Sequence, residues 1–295
     1  MDSAIKLNFC DFENFGDALC PCLVKFLAGR PVVPSSVNYA NLMAVGSVFY
    51  DGGQFFGSKG NLLSRNRLKS IYHTARNLFR APMKVWGSGF LEEPNIPDAI
   101  AHYRNLDFVA VRGQITLNLL RKAGYHLSND VALGDPGVLY PMLIPDIATI
   151  EKTIDIAIVP SYNDRHLGRM LVEKLKSKGV CAEMIDIMPR DPMIVLRQIA
   201  SSSRILGSAM HALIVADSLG IVNAPISFPR INPFKMRDYY SAYGLDLPPF
   251  INYEKVIERP ESLLDEMPVK PYVPKRNIDK VKEELLASFP YRKCV

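Results

Sequence analysis

Cysteine is scarce in this chain, and its spacing predicts neither a crosslinked nor a zinc-binding fold. Five cysteines in 295 residues are odd in number and scattered, and they match neither a disulfide framework nor a paired zinc motif. The one close pair is Cys20-Pro21-Cys22, for which we expect no metal role. The five are Cys10, Cys20, Cys22, Cys181 and Cys294. This usage is typical of a reducing compartment, and we expect the cytoplasm.

Long apolar runs are also missing. No stretch approaches the ~20 apolar residues that span a bilayer. The amino end lacks the basic, apolar and small-residue pattern of a signal peptide. We therefore expect a soluble protein.

The short motifs of several large enzyme classes do not occur. There is no G-x-G-x-x-G after a strand, no G-x-x-x-x-G-K-[ST], no H-E-x-x-H and no G-x-S-x-G. Dinucleotide, P-loop, zinc-protease and serine-hydrolase chemistry therefore lack support. The five histidines are far apart in sequence: His73, His102, His126, His166 and His211. We expect neither a metal nor a cofactor.

Positive charge is concentrated in one segment, residues 57–84. The whole chain has a formal net charge of +5, which is mild for a duplex-binding protein, and we expect no nucleic-acid partner. The segment has no acidic residue and carries Lys59, Arg65, Arg67, Lys69, Arg76, Arg80 and Lys84. Its apolar residues recur at helical spacing, as in a helix lying on an anionic membrane surface. The alternative is a solvated helix or loop packed on the first domain.

Short apolar runs that each stop at a glycine recur between residues 42 and 134, with helical segments between some of them. This pattern predicts a mostly parallel sheet. It restarts with an apolar run at 154–159, which predicts a second βα domain after a hinge at 149–153. The chain after residue 245 is rich in proline and ends in a predicted helix at 278–288. We expect this tail to return and pack across the first domain.

The stretch 205–220 predicts a buried strand, a Gly-Ser turn and a buried helix that ends at Gly220. Ser208 is the expected N-cap, and His211 stands in the first turn of the helix. Such a turn lies at the carboxyl edge of a sheet, where α/β proteins bind ligands, and the helix N-terminus attracts anions. His211 is therefore expected beside an anion pocket. The alternative is a core histidine whose nitrogens are satisfied by backbone groups.

Other predicted strand ends carry polar or basic residues that could belong to the same anion pocket. Gly46-Ser47, Gly87-Ser88 and Gly207-Ser208 each combine a glycine with a hydroxyl, and Asp17 is the expected cap of an early helix. Arg112 ends another strand, and Lys235 follows the last apolar one. Converging on one pocket, these cations would bind a small, highly charged anion. The alternative is that both are structural ion-pair residues.

Six short segments stand out in order along the chain. They are Asn14-Phe15-Gly16-Asp17-Ala18-Leu19, Val85-Trp86-Gly87-Ser88-Gly89-Phe90, Val111-Arg112-Gly113, Leu133-Gly134-Asp135-Pro136, Ser208-Ala209-Met210-His211-Ala212-Leu213-Ile214 and Phe234-Lys235-Met236-Arg237-Asp238-Tyr239-Tyr240. Together they resemble motifs of the polysaccharide pyruvyl transferase family over roughly residues 8 to 244. The chain departs from many relatives at Ala212, where they have glycine, and in a long stretch at about 56–82.

The resemblance implies an α/β fold of two Rossmann-like domains facing each other in a GT-B-like arrangement. The N-terminal, acceptor-side domain would span 1–148 and the C-terminal, donor-side domain 149–255, with the tail at 256–295. The implied catalytic residues are His211, Arg112 and Lys235. The implied substrate-binding residues are Asn14, Gly16, Asp17, Gly87, Ser88, Ser208 and Arg237.

The implied reaction moves pyruvate from phosphoenolpyruvate onto two hydroxyls of one sugar, giving a cyclic ketal and phosphate, in cell-surface or exopolysaccharide biosynthesis. An enol phosphate needs a proton on its methylene carbon, and histidine is the natural donor near neutral pH. The helix dipole disfavours the imidazolium of His211, and a bound anionic donor would favour it. Arg112 and Lys235 would take the two charged ends of the donor.

The expected acceptor is a lipid-linked oligosaccharide at the cytoplasmic face of the membrane, with peripheral contact to anionic lipid. One alternative is a GT-B nucleotide-sugar glycosyltransferase, although no acidic clamp for a ribose follows the histidine helix. A second alternative is a catalytically silent glycan- or phosphate-binding subunit.

Overall fold

The computed structural model describes residues 4–10, 14–47, 49, 81–94, 105–229 and 231–292. The strands are β1 (Ile5–Asn8), β2 (Val32–Pro34), β3 (Leu42–Ala44), β4 (Met83–Ser88), β5 (Leu106–Val111), β6 (Ala132–Leu133), β7 (Ile154–Val159), β8 (Ala182–Met184), β9 (Ser202–Gly207), β10 (Val222–Ser227) and β11 (Ile251–Asn252). The α-helices are α1 (Phe15–Ala28), α2 (Gln114–Lys122), α3 (Arg165–Ser177), α4 (Pro192–Ala200), α5 (Met210–Leu219), α6 (Phe234–Ser241), α7 (Tyr253–Glu258), α8 (Leu263–Glu266) and α9 (Lys275–Ser288). Four 3-10 helices cover Pro136–Leu143, Ile147–Thr149, Tyr162–Asp164 and Pro260–Ser262.

The strands form two parallel sheets. The first has the order β2-β1-β3-β4-β5-β6 and the second the order β11-β10-β9-β7-β8. Every strand pair in both sheets is parallel. The predicted α/β class is therefore confirmed. The division into two Rossmann-like domains and their GT-B-like arrangement stay predictions.

Both faces of the second sheet are covered, as parallel sheets require. In β7, Ile156 and Ile158 face α3 and α7, whereas Ala157 and Val159 face the other side. This alternation follows from the two-residue period of a strand. The strand is consequently apolar at every position except the exposed Asp155.

One hydrophobic cluster contains residues of both sheets. Leu7 and Trp86 belong to the first sheet, Ala157 and Ile205 belong to the second, and all four are fully buried members of the same cluster. Side chains of α1, α4, α5, α9 and the 3-10 helix 136–143 complete it. The helices that carry the candidate site are therefore packed within a core shared by the two sheets.

The carboxyl-terminal helix α9 returns to the first sheet. The indole Nε1 of Trp86 donates a hydrogen bond to the carbonyl of Leu285 at 3.0 Å, and its ring packs against Phe289. The predicted return of the tail to the first part of the chain is confirmed by these contacts.

Two predicted helix caps are wrong. The N-cap of α1 is Asn14, whose side chain accepts from the backbone N–H of Asp17, so Asp17 lies inside the first turn. The N-cap of α5 is Ala209, which has no side-chain cap bond, because the hydroxyl of Ser208 instead accepts from the backbone N–H of Ser161 at 2.8 Å. Gly220 ends α5 with a left-handed φ of 67°, as predicted.

A buried carboxyl lies near the end of α5. Asp217 accepts hydrogen bonds from Nδ2 of Asn223 at 2.7 Å and from the hydroxyl of Tyr239 at 3.1 Å. Burial raises the pKa of Asp217 to about 7, although both hydrogen bonds oppose this rise. Its ionisation is thus coupled to the folding of the protein.

The predicted membrane-surface helix at 57–84 lies almost wholly outside the described residues. Of its basic residues only Lys84 is described; it belongs to β4 and forms an ion pair with Asp107. Among the helices that the structure describes, none is both long and apolar enough to cross a bilayer.

Candidate active site

A cavity of about 500 Å³ opens where strands of both sheets end. Segments that follow β1, β3, β4, β7, β9 and β10 contribute to its wall. The polar and charged lining residues are Asn14, Asp17, Ser47, Glu92, Ser161, Asn163, Asp164, Ser208, His211, Asn232 and Lys235. The carboxyl ends of parallel strands are where open α/β sheets bind ligands, so this cavity is the candidate active site.

His211 stands in the wall of the cavity, in the first turn of α5. Its side chain is only 11% exposed, and the rings of Phe15 and Tyr140 lie 6.5 and 6.0 Å away, centroid to centroid. A Cβ on Gly16 would come within 2.0 Å of Nδ1 of His211. Gly16 therefore acts by leaving room for the imidazole, and any larger residue there would displace the ring.

His211 is a neutral base in this structure. Its pKa is lowered to about 4, chiefly by burial and also by the charges of Lys235 and Arg112, while Asp17 opposes them. The imidazolium that a general acid requires is therefore scarce at neutral pH unless a negative charge enters the cavity. The cause expected from the sequence is the helix dipole, whereas here burial is the largest cause of the lowered pKa.

Asp17 contributes a carboxyl to the wall of the cavity. Its side chain accepts hydrogen bonds from Asn14 and Cys10. Burial raises its pKa, and the charges of His211 and Lys235 lower it. The cavity thus holds a carboxyl, an imidazole and an ammonium group in electrostatic contact.

Lys235 reaches the same cavity from the first turn of α6. Burial and the nearby Arg112 lower its pKa, whereas Asp17 raises it. Two cations close together in a buried place repel each other, and an anionic ligand relieves that repulsion. This arrangement favours binding of a small molecule with more than one negative charge.

Arg112 lies behind the cavity wall and is completely buried. Its Nε pairs with Asp238 at 2.8 Å, Nη1 donates to the hydroxyl of Ser47 at 2.9 Å, and Nη2 donates to the carbonyl of Phe90 at 2.5 Å. Arg112 is expected to bind one charged end of a donor directly. In this geometry it does not, because its planar guanidinium group is already hydrogen-bonded to protein groups. The positive charge of Arg112 acts on the cavity across its wall, through the hydrogen bond to Ser47.

The pair of Arg112 and Asp238 also anchors α6 to the first sheet. Asp238 accepts from the backbone N–H and the hydroxyl of Thr116 at 2.8 and 2.6 Å. A Cβ on Gly113 would lie 1.8 Å from the carbonyl oxygen of Asp238, so α6 packs directly on the start of α2. Lys235 is thereby held in place by residues of the first half of the chain.

The remaining predicted site residues divide into two groups. Asn14 and Ser208 line the cavity. Gly87, Ser88 and Arg237 do not: Gly87 packs against Pro136, Ser88 is fully buried in β4, and Arg237 is exposed on α6. Gly87 has a φ of 76°, so its role is to allow the turn of the backbone that brings β4 against the 3-10 helix 136–143.

The sequence does not indicate two buried carboxyls or several lining residues. Asp135 and Asp238 are fully buried, and Ser161–Asp164 and Glu92 line the cavity. Both aspartates lie inside the family-like motifs, but nothing local in the sequence indicates their partners. Within the described part of the chain there is no group of three or more His, Cys, Asp or Glu that could hold a metal ion.

The chain is similar to known proteins in sequence and in structure. A sequence model of the family described as polysaccharide pyruvyl transferase matches residues 14–228. An uncharacterized protein of Acanthamoeba polyphaga mimivirus is 29% identical in an alignment of 162 residues that covers 52% of this chain, and the chain spans about half (54%) of the length of that relative. The crystal structure of an uncharacterized protein of Klebsiella pneumoniae is 13% identical with a TM-score of 0.46, covering 85% of this chain and 92% of that one.

Proposed function

Because the chain belongs to the polysaccharide pyruvyl transferase family, we propose that it moves pyruvate from phosphoenolpyruvate onto two hydroxyls of one sugar of a glycan. The product is a cyclic ketal, and phosphate is released. The observation that carries this proposal is a single cavity in which His211, Lys235 and Asp17 influence one another's ionisation. A proton donor, an anion-binding cation and a base are the groups that this reaction needs.

One anionic group of the donor binds Lys235. The negative charges of the donor's carboxylate and phosphate attract both Lys235 and Arg112 and so offset the repulsion between these two cations. The same negative charge raises the pKa of His211, so donor binding supplies the imidazolium that the reaction needs. Arg112 adds its charge from behind the wall and orients the hydroxyl of Ser47 toward the donor.

The imidazolium of His211 then protonates the methylene carbon of the enol phosphate. Positive charge develops on the carbon that bears phosphate, and a sugar hydroxyl attacks that carbon. Asp17 takes the proton of the attacking hydroxyl and passes it to the departing phosphate. The second hydroxyl then closes the ketal ring and gives its proton to His211, which the first step left neutral. The lining segment Ser161–Asp164 and Asn232 supply hydroxyl, amide and carboxyl groups of the kind that bind sugars.

Two further elements belong to this proposal. The two sheets would be the cores of donor-side and acceptor-side domains in a GT-B-like arrangement. The acceptor would be a lipid-linked oligosaccharide that the enzyme meets at the cytoplasmic face of a membrane, with no cofactor besides the donor substrate.

One experiment separates this function from its rivals. The full chain is incubated with phosphoenolpyruvate or nucleotide sugars and a set of lipid-linked and soluble glycans, and the products are analysed by mass spectrometry and phosphate assay. Pyruvyl addition with equimolar phosphate release is the expected result, and His211→Ala should abolish it whereas exposed His166→Ala should not. Glycosyl addition from a nucleotide sugar would indicate the glycosyltransferase. Binding without turnover of any donor would indicate a silent subunit.

A further inference from the structure

Two buried polar atoms beneath the cavity lack partners. Nε2 of His211 and Oδ2 of Asp135 are each inaccessible to solvent, and neither has a hydrogen bond within the described structure. They belong to side chains that approach each other: Nε2 lies 3.9 Å from Oδ1 of Asp135. An unpaired buried polar atom is costly, about 1–3 kcal/mol, so two of them side by side require an explanation.

The surroundings fix which edge of the imidazole faces the carboxyl. Nδ1 lies against Gly16, on the α1 side of the ring. The opposite edge, with Cδ2 and Nε2, faces the segment after β6, because Cδ2 is the atom that a Cβ on Gly137 would contact at 3.3 Å. Asp135 is held in this segment by the backbone N–H of Gly137, which donates to Oδ1 at 2.9 Å.

We propose that Asp135 is a positioning residue that accepts a hydrogen bond from Nε2–H of His211 and so reserves Nδ1 for proton exchange in the cavity. A hydrogen bond requires the two side chains to move roughly 1 Å closer. The bond fixes the neutral tautomer with its proton on Nε2, which leaves the lone pair of Nδ1 ready to take a proton. It also stabilises the imidazolium after that proton arrives.

The charges around this pair support the assignment. The pKa of Asp135 is raised to about 6, chiefly by burial and also by the charge of Asp238, although the backbone bond from Gly137 and the charges of Arg112 and Lys235 oppose this rise. Asp17, Lys235 and Arg112 are the charged groups that act on His211 from α1, α6 and the end of β5. Asp135 is therefore an anion above about pH 6. Its negative charge beside the ring can then stabilise the imidazolium of His211.

The tautomer of His211 tests this inference without any turnover. The full chain is labelled with ¹⁵N-histidine, and the ring nitrogens are observed by NMR at pH 7.5, with His211→Gln used to assign the signal. The expected wild-type signal shows the proton on Nε2. In Asp135→Asn the amide N–H can donate to Nε2, and the tautomer is expected to change to Nδ1–H. A wild-type proton on Nδ1, or the same tautomer in both proteins, would overturn the proposal.

The kinetic test rests on the proposed function and separates positioning from a structural role. An asparagine oxygen can still accept from Gly137, so a residue that only caps the 3-10 helix would tolerate Asp135→Asn. Positioning of His211 instead predicts a fall in kcat of about 100-fold or more, because an amide cannot stabilise the imidazolium. KM for phosphoenolpyruvate should change less than twofold, and Asp135→Glu should recover part of the rate.

A double variant completes the design. If Asp135 acts through His211, then Asp135→Asn should slow His211→Gln no further, whereas an independent role would make the two losses multiply. A wild-type rate in Asp135→Asn would refute the catalytic part of the inference. If the NMR result holds but no glycan is pyruvylated by the wild type, the proposed function fails and the pair of Asp135 and His211 stands.

Discussion

Donor binding should place a proton on His211. Burial holds the pKa of this imidazole at about 4, so at pH 7 about one molecule in a thousand carries the charged form. To act as the general acid, the bound enzyme must raise that pKa to about 7, which corresponds to about 4 kcal/mol. One unit of negative charge about 4 Å from the ring supplies about 4 kcal/mol at an effective dielectric constant near 20. A single anionic group of the donor is therefore sufficient.

The assay is isothermal titration calorimetry of phosphoenolpyruvate binding at pH 7 in buffers of different ionisation enthalpy. The dependence of the observed heat on the buffer gives the number of protons taken up. We expect the wild type to take up about half a proton more than His211→Gln, because a pKa near 7 is half-titrated at pH 7. The donor's own phosphate titrates in both proteins and cancels in this difference. Equal proton uptake by the two proteins would refute the reasoning.

Three further predictions concern other residues of the described structure. Lys235→Ala should weaken phosphoenolpyruvate binding by roughly 10- to 100-fold in calorimetry, whereas Lys255→Ala, which removes an exposed cation paired with Glu266, should leave it unchanged. Gly16→Ala should cost about 10²-fold in kcat, because the new methyl group displaces the His211 ring, and a wild-type rate would contradict the contact. Asp217 has a pKa of about 7 in the folded protein, above the usual value of about 4 for an aspartate, so the stability it contributes is present at low pH and lost as the pH rises toward 7. The free energy of unfolding from urea titrations should therefore fall by about 2–3 kcal/mol more in the wild type than in Asp217→Asn between pH 5 and pH 8, and equal slopes would exclude this assignment.

The sequence predicts the sheets well because their signal is local. An apolar run that stops at a glycine describes a buried parallel strand, and β3, β4 and β9 follow this pattern, whereas β7 stops at Pro160. The edge strand β2 (Val32–Pro34) was not predicted, since it is short, largely exposed and contains proline. The helix α6 was missed as well, because it follows a proline and has no side-chain cap.

The site is predictable only where chemistry follows a strand end directly. His211 meets that condition and lines the cavity, whereas Lys235 lines it from α6, which begins seven residues after β10 ends. Arg112 meets it too, but its fork is occupied by Asp238, which lies 126 residues further along the chain. The hydroxyl of Ser208 is used by Ser161, 47 residues away. Partners at such separations are decided by tertiary packing, which no local pattern records.

The core shared by the two sheets has a consequence for motion. Enzymes built from two separate domains commonly open and close by rotation about a hinge, and that freedom requires an interface with few apolar contacts. Here the helices between the sheets belong to one cluster, and the buried pair of Arg112 and Asp238 ties α6 to the first sheet. Separating the sheets would expose that cluster and break the ion pair. The protein should consequently melt in one cooperative transition, and amide protons in β1 and β9 should exchange with solvent through the same global opening.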